Sequence, residues 1–348
     1  MPFKPITTAI AGYGAAGEFF HAPFIASLPE FQLTTVLERH KEQSKVKFPE
    51  VRVVKSFSEL VHDQELELIV ITTPNEFHFS MAKEAMENGK HVVVDKPMTV
   101  TSSEAEELIR VSRETGKLLT VYQNRRLDAG FLTVKKIKEE NGFGKIRHYE
   151  AHFDRYRPAI KDSWREKQTP GGGLLYDLGV HLLDQTIYLW GKPQAVTARI
   201  ERQRPEAVVD DFFEITLQYN GFKAIVTAGM LVEEKQPQLY VEGAKMTYFR
   251  FDLDPQEAAL KKGLFPKDEA WEKETVPGPG FIRTTDCAES VYPTERGNYP
   301  YFYKNLARGI REGGELLVKP EEAWFVIRLI ELARISSEEK RTIELSNV

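Results

Sequence analysis

Three ionisable side chains stand where they could together handle the proton of a reacting hydroxyl: Lys96, Asp177 and His181. Lys96 lies in Asp95-Lys96-Pro97, directly after an apolar run, and the proline restrains the residue before it to extended backbone, so the lysine projects from a strand end. An ammonium there can hold and polarise a hydroxyl, and desolvation would lower its pKa toward the range of proton exchange. Without further context the same residue is an ordinary surface charge. Asp177 and His181 are spaced i,i+4, one face of a helix, just after Pro170-Gly-Gly-Gly173. Taking hydride from a carbinol carbon requires loss of the hydroxyl proton, a task suited to an imidazole titrating near neutrality, while the carboxylate orients it or binds another hydroxyl. A cap or structural salt bridge is the plainer use of such a pair. Asp184 shares the face and reads as structural.

Hydride chemistry needs an acceptor, and Gly12-Tyr-Gly14-Ala-Ala-Gly17 supplies a place for one. It follows an apolar strand and opens a helix: Gly12 permits the tight turn, Gly14 lets a pyrophosphate approach, and Gly17 lets helix and strand pack closely. The helix N-terminus adds amide donors. Glu38 ends the next strand at the spacing of a ribose ligand, which favours NAD modestly over NADP. Arg39 pulls the other way, since a guanidinium there pairs with an extra phosphate or stacks on adenine. A solvated strand end is the alternative for both residues. Thr73-Pro-Asn75-Glu-Phe-His78 follows another strand, where Asn75 either bonds the cofactor or caps a turn. Arg125, Arg126, Arg155, Arg157 and Arg165 are expected to border a cleft, as an anion site or a solvated basic rim. The eight histidines contain no metal-binding spacing, so no metal is expected.

The elements that must position these groups change character along the chain. Strand candidates at residues 6–11, 33–37, 68–72, 91–94 and 118–121 alternate with amphipathic stretches at 80–88 and 103–115, which is the pattern of a doubly wound parallel sheet. Thr101 and Glu104 form a capping box, and Gly89 and Gly116 stand at helix ends. Beyond about residue 122, strands follow one another at 147–155, 194–202, 211–219, 222–231, 239–242 and 246–251, with helices at 174–190, 299–312 and 321–336. Two domains are expected: a Rossmann α/β domain at 1–123 and an α+β domain at 124–348 with a large, mostly antiparallel sheet, whose C-terminal helix packs back on the first domain. Residues 255–297, rich in Gly, Pro and charge, carry little predictable structure.

A length of 348 residues suits two domains, and a net charge of −5 with interleaved signs excludes nucleic-acid tracking and anionic membranes as partners. Small-molecule chemistry is favoured. The single cysteine, Cys287, excludes an internal disulfide and reads as a buried or incidental thiol. Neither a secretory signal nor a membrane span is evident, so a cytoplasmic protein is expected.

Together these stretches resemble the Gfo/Idh/MocA family, named for glucose-fructose oxidoreductase and inositol dehydrogenase, and most of all its bacterial scyllo-inositol dehydrogenase branch. The resemblance runs nearly end to end, through the glycine fingerprint, Thr73-Pro-Asn75 with His78, Asp95-Lys96-Pro97, Gln123-Asn-Arg-Arg126, Trp164-Arg165, Pro170 to Gly173, Asp177-Leu-Gly-Val-His181 and Gly297-Asn-Tyr-Pro300. It implies a proton relay through Lys96 and His181, Asp177 contacting substrate, and hydride exchange with nicotinamide. Cofactor contacts are implied for Gly12, Gly14, Gly17, Glu38, Arg39, Thr73, Asn75, His78, Asp95, Asn124, Trp164 and Arg165, and substrate contacts for Arg125, Tyr156 and Arg157. A sugar or cyclic polyol is the implied substrate, and a homodimer or homotetramer through the second sheet the implied assembly. Asp95 departs from the family's usual Glu but keeps the charge. A nucleotide-sensing regulator without turnover and an NAD-dependent glycosidase are the competing functions; retention of Lys96, Asp177 and His181 argues against the first.

Overall fold

The strand β1 (Ile6–Ala11) buries every side chain except Thr7, as a strand covered on both faces must. The structure, a computed structural model, describes residues 4–234, 236–286 and 288–345; Cys287 lies outside them. Five further parallel strands, β2 (Phe31–Leu37), β3 (Arg52–Val54), β4 (Leu68–Ile71), β5 (His91–Val94) and β6 (Leu119–Val121), join β1 in the order β3-β2-β1-β4-β5-β6. The order reverses between β1 and β4, and the carboxyl ends of strands at such a reversal form the binding crevice of open α/β sheets. β3 was not expected: three residues, one of them the exposed Arg52, give too short a run to read as a strand.

Helix punctuation follows the sequence. Helix Ser102–Thr115 opens on the capping box of Thr101 and Glu104 and closes on Gly116 at φ 66°. That conformation favours glycine. His78–Glu87 covers the sheet, and Gly89 turns the chain into β5 at φ 78°.

The compact unit holding this sheet comprises the chain up to Asn124 together with Pro255–Val276 and Asn298–Trp324. Its core includes an aromatic cluster in which Tyr303 stacks on Phe24 at 6.2 Å and meets Phe31 edge-on at 5.4 Å. Residues 255–276 and 298–324 thus add to the nucleotide unit, although the sequence reading ended that domain at 123. They contain helices Pro255–Lys261, Glu269–Glu274 and Pro300–Glu312.

The second unit comprises Arg125–Asp254, Pro277–Gly297 and the chain from Phe325. It holds a nine-stranded sheet built from β7 (Ile146–His152), β8 (Ala195–Glu201), β9 (Phe212–Tyr219), β10 (Phe222–Gly229), β11 (Leu239–Gly243), β12 (Met246–Arg250), β13 (Gly280–Thr284), β14 (Glu289–Tyr292) and β15 (Ile343–Glu344). All neighbouring pairs are antiparallel except β7 with β10. Tyr149, Leu217, Val226, Val241 and Tyr248 face inward and are fully buried, and helix Val180–Trp190 packs against β10. The segment at 255–297, which carries little predictable structure, contributes β13 and β14, whose pairing supplies the order that local composition does not. No helix among the described residues is long and apolar enough to cross a membrane.

Candidate active site

In the first unit, the chain leaves β1 through Gly12 at φ 106°, a conformation costly for any residue with a Cβ. It then enters a π-helical turn, Ala16–His21, which continues as the α-helix Ala22–Ser27. A Cβ at residue 17 would run into the carbonyl oxygen of Gly12, so the helix can cross this closely only with glycine. A Cβ at residue 14 would meet nothing within 4 Å. That open approach to backbone amides at a helix start, above the reversal in strand order, fits a dinucleotide pyrophosphate.

The two glycines predict opposite results. Gly17→Ala should cost about 1–3 kcal/mol of stability through overpacking, read by urea unfolding. Gly14→Ala should leave stability within about 0.5 kcal/mol yet weaken NADP binding in a fluorescence titration. Unchanged binding in Gly14→Ala would remove this loop from the cofactor site.

Glu38 behaves differently from a free ribose ligand. Its carboxylate accepts from the amides of Gln43 at 2.8 Å and Ser44 at 2.9 Å and from the Ser44 hydroxyl, thereby starting the short helix Ser44–Lys47. Three of a carboxylate's roughly four acceptor positions are therefore used within the protein. Arg39, next to it, is exposed and forms no hydrogen bond or ion pair among the described residues. His78 also departs from the expected cofactor contact: it is buried, with Nδ1 2.8 Å from the Pro97 carbonyl oxygen and Nε2 2.9 Å from that of Thr73. Burial pushes its pKa down. His78 ties the loop after β4 to the loop after β5 at Pro97, the residue that follows Lys96. Asn75, buried, opens the 3-10 turn Asn75–Phe77 after Thr73.

Lys96 and Asp95 follow β5 and are half-buried; the peptide between Lys96 and Pro97 is cis. Asp95 is met by a residue that sequence reasoning missed. His21, at the end of the π-helical turn, places Nε2 3.3 Å from Asp95 Oδ1 and Nδ1 2.6 Å from the Tyr303 hydroxyl. Burial opposes the charge on Asp95, yet His21, through its hydrogen bond and its electrostatic pull, and then the charge of Lys96 hold its pKa below the ordinary value. Nothing in the spacing of His21 from the fingerprint announces this, because the π-turn shifts the register that an α-helix would give.

In the second unit, Asp177 lies in a π-helical turn, Leu175–Gly179, rather than in an α-helix, and His181, buried, lies in the first turn of the α-helix that follows. The turn is anchored from outside: Asp210 accepts from the Leu175 amide at 2.7 Å and from Arg334 at 2.8 Å, and its carboxylate occupies the place a Cβ on Gly173 would need. Arg165 donates to Asp177 at 3.1 Å and stacks on Trp164 at 4.6 Å. This partner fixes the Asp177 carboxylate. Arg125 is buried, bonded to Asp128 at 3.3 Å and set over Phe153 at 4.8 Å, while Asn124, the last residue of the first unit's opening stretch, is also buried and begins the turn Asn124–Leu127. Tyr156 and Arg157 are exposed, with Glu233 raising the pKa of the Tyr156 hydroxyl. Arg126 is no part of a basic rim. Its guanidinium is buried and clamped by Asp184 through bonds of 2.8 and 2.6 Å, which gives Asp184 the structural role expected of it.

Residues 6–123 match the model of an oxidoreductase family's NAD-binding Rossmann fold, Gfo/Idh/MocA, and residues 135–345 match the model of the same family's C-terminal alpha/beta domain. The chain is 40% identical over 345 residues to scyllo-inositol 2-dehydrogenase (NADP(+)) IolW of Bacillus subtilis, covering 98% of this chain and 96% of that protein. It is 39% identical over 342 residues to the oxidoreductase YdgJ of Escherichia coli, covering 98% and 99%. The solved structure of yvaA from Bacillus subtilis superposes with a TM-score of 0.95 at 39% identity, covering 99% of this chain and 100% of that one.

Proposed function

Because the chain belongs to the Gfo/Idh/MocA oxidoreductase family, we propose that it interconverts a secondary hydroxyl of a sugar or inositol-like polyol and the corresponding carbonyl. It is an oxidoreductase acting on CH–OH groups with NAD or NADP. The observation that carries the substrate class is the end-to-end likeness to IolW, joined to the presence of Lys96, Asp177 and His181. When bound, the nicotinamide accepts or returns the hydride of the carbinol carbon. Lys96, as the neutral amine, holds the reacting hydroxyl and takes the single proton released as the carbonyl forms, which then passes on to His181. Asp177, fixed by Arg165, receives a second hydroxyl of the substrate. Reduction runs the same steps backward.

The test is a panel of inositols, aldoses, ketoses and sugar acids, followed in both directions by the absorbance of the reduced cofactor. Steady turnover of a cyclic polyol or sugar is expected. Cofactor binding with no turnover of any member would instead make the chain a nucleotide sensor.

The same reading favours NADP, reversing the modest preference for NAD drawn from the spacing of Glu38. What supports it is the engagement of Glu38 with Gln43 and Ser44 beside the exposed Arg39. Arg39→Ala is expected to weaken NADP binding by roughly tenfold, the scale of one lost charge-assisted contact, with NAD binding almost unmoved. Equal losses for both nucleotides in equilibrium titrations would remove Arg39 from this role. A second copy of the chain is proposed to cover the face of the nine-stranded sheet on which Ile225, Tyr240, Phe249 and Phe281 are only half-buried, and sedimentation as a monomer would remove this reading.

A further inference from the structure

Building on the assignment of Lys96 as a proton-transfer group, we infer that His21 and Tyr303 are positioning residues, holding the Asp95 carboxylate beside Lys96 in one place and one charge state. His21 is wholly buried, as is Tyr303 on helix Pro300–Glu312. The ring has little freedom, since Tyr122 packs on it at 4.3 Å and Tyr303 meets it edge-on at 6.2 Å.

The inference assigns the ring one tautomer. Burial keeps the Tyr303 phenol protonated, so its hydroxyl has a hydrogen to give. A hydrogen donated to Nδ1 across 2.6 Å leaves the ring's own hydrogen on Nε2, facing Asp95. The titratable neighbours of this chain are Lys96 and His78 beside Asp95, and Tyr122 beside Tyr303. A carboxylate satisfied by the imidazole draws less on the ammonium of Lys96. Without that donor, Asp95 would pair more tightly with the ammonium and keep it charged to higher pH.

The arrangement also accounts for an aspartate at this position. A glutamate would carry its carboxylate one methylene further, toward the space that the imidazole fills. Asp95→Glu should therefore be more harmful with His21 present than in combination with His21→Ser, an interaction that a double-mutant cycle reads directly.

The tautomer can be read on the full-length protein without substrate or cofactor. In a long-range proton–nitrogen spectrum of histidine-labelled protein, the pattern lost in His21→Phe should be that of an Nε2–H ring; an Nδ1–H pattern would overturn the inference. Kinetics supply the functional arm, using scyllo-inositol or whichever alcohol of the panel turns over fastest. His21→Phe should lower kcat for alcohol oxidation by about tenfold and move its acidic limb upward by about one pH unit, with NADP binding retained. His21→Gln, whose amide can still donate to Asp95, should recover much of both. If His21→Phe does not fold, Tyr303→Phe serves, with a smaller shift in the same direction. A wild-type pH profile in the folded variant, while Lys96→Ala is inactive, overturns the inference alone; full turnover in Lys96→Ala removes the parent assignment as well.

Discussion

Lys96→Ala and His181→Ala should each lower turnover by a hundredfold or more, the scale of a positioned acid/base group, while NADP still binds. The reason lies in what oxidation of an alcohol demands. Hydride departure leaves a positive carbon unless the hydroxyl proton leaves with it, so a missing proton acceptor is felt in the chemical step. On the proposed reading, binding of the nucleotide rests on other atoms: the amides after Gly12 and the open approach over Gly14. If the two residues form one relay, the double variant should be scarcely slower than the worse single one, because groups acting as a unit do not contribute additively. Stopped-flow turnover and separate nucleotide titrations provide the check. Near-normal turnover in both single variants would remove the relay.

The largest effect on stability is expected at Asp184. Asp184→Ala leaves the Arg126 guanidinium buried without its bidentate carboxylate, a change that typically costs about 3–5 kcal/mol. Arg126 also stacks over Tyr188 at 4.7 Å, which limits its freedom to swing out to water. Replacing both partners, as Arg126→Met with Asp184→Leu, should cost much less than Asp184→Ala alone, since no charge then remains stranded. Urea unfolding of the three variants measures this. A loss below about 1 kcal/mol for Asp184→Ala would show that the pair behaves as if exposed.

Features written in local chemistry were legible in the sequence. The glycine fingerprint, the box of Thr101 and Glu104, and the stops at Gly89 and Gly116 each depend on a few neighbouring residues. The turn between β9 and β10 is similar, with Gly221 at φ 87° and Tyr219 paired to Phe222. What escaped depends on residues far apart in the chain. His21 and Tyr303 are 282 positions apart, so no window contains both. Arg126 looked like a rim charge because its partner, Asp184, is 58 residues on. Glu38 stood at the right spacing for a ribose, but its hydrogen bonds are decided by how the chain folds back at Gln43 and Ser44. The π-turns at Ala16–His21 and Leu175–Gly179 have no compositional mark, and both lie beside residues assigned to the chemistry.

The return of Pro255–Val276 and Asn298–Trp324 to the nucleotide unit bears on how the protein is made. A ribosome that has just added Asn124 has supplied all six parallel strands, yet Phe24 and Phe31 still lack Tyr303, and His21 still lacks the hydroxyl that bonds its Nδ1. Synthesis at about 5–20 residues per second then delays those partners by roughly ten seconds or more. During that interval the nascent chain carries exposed aromatic surface, and a gene truncated after codon 124 would leave it so permanently.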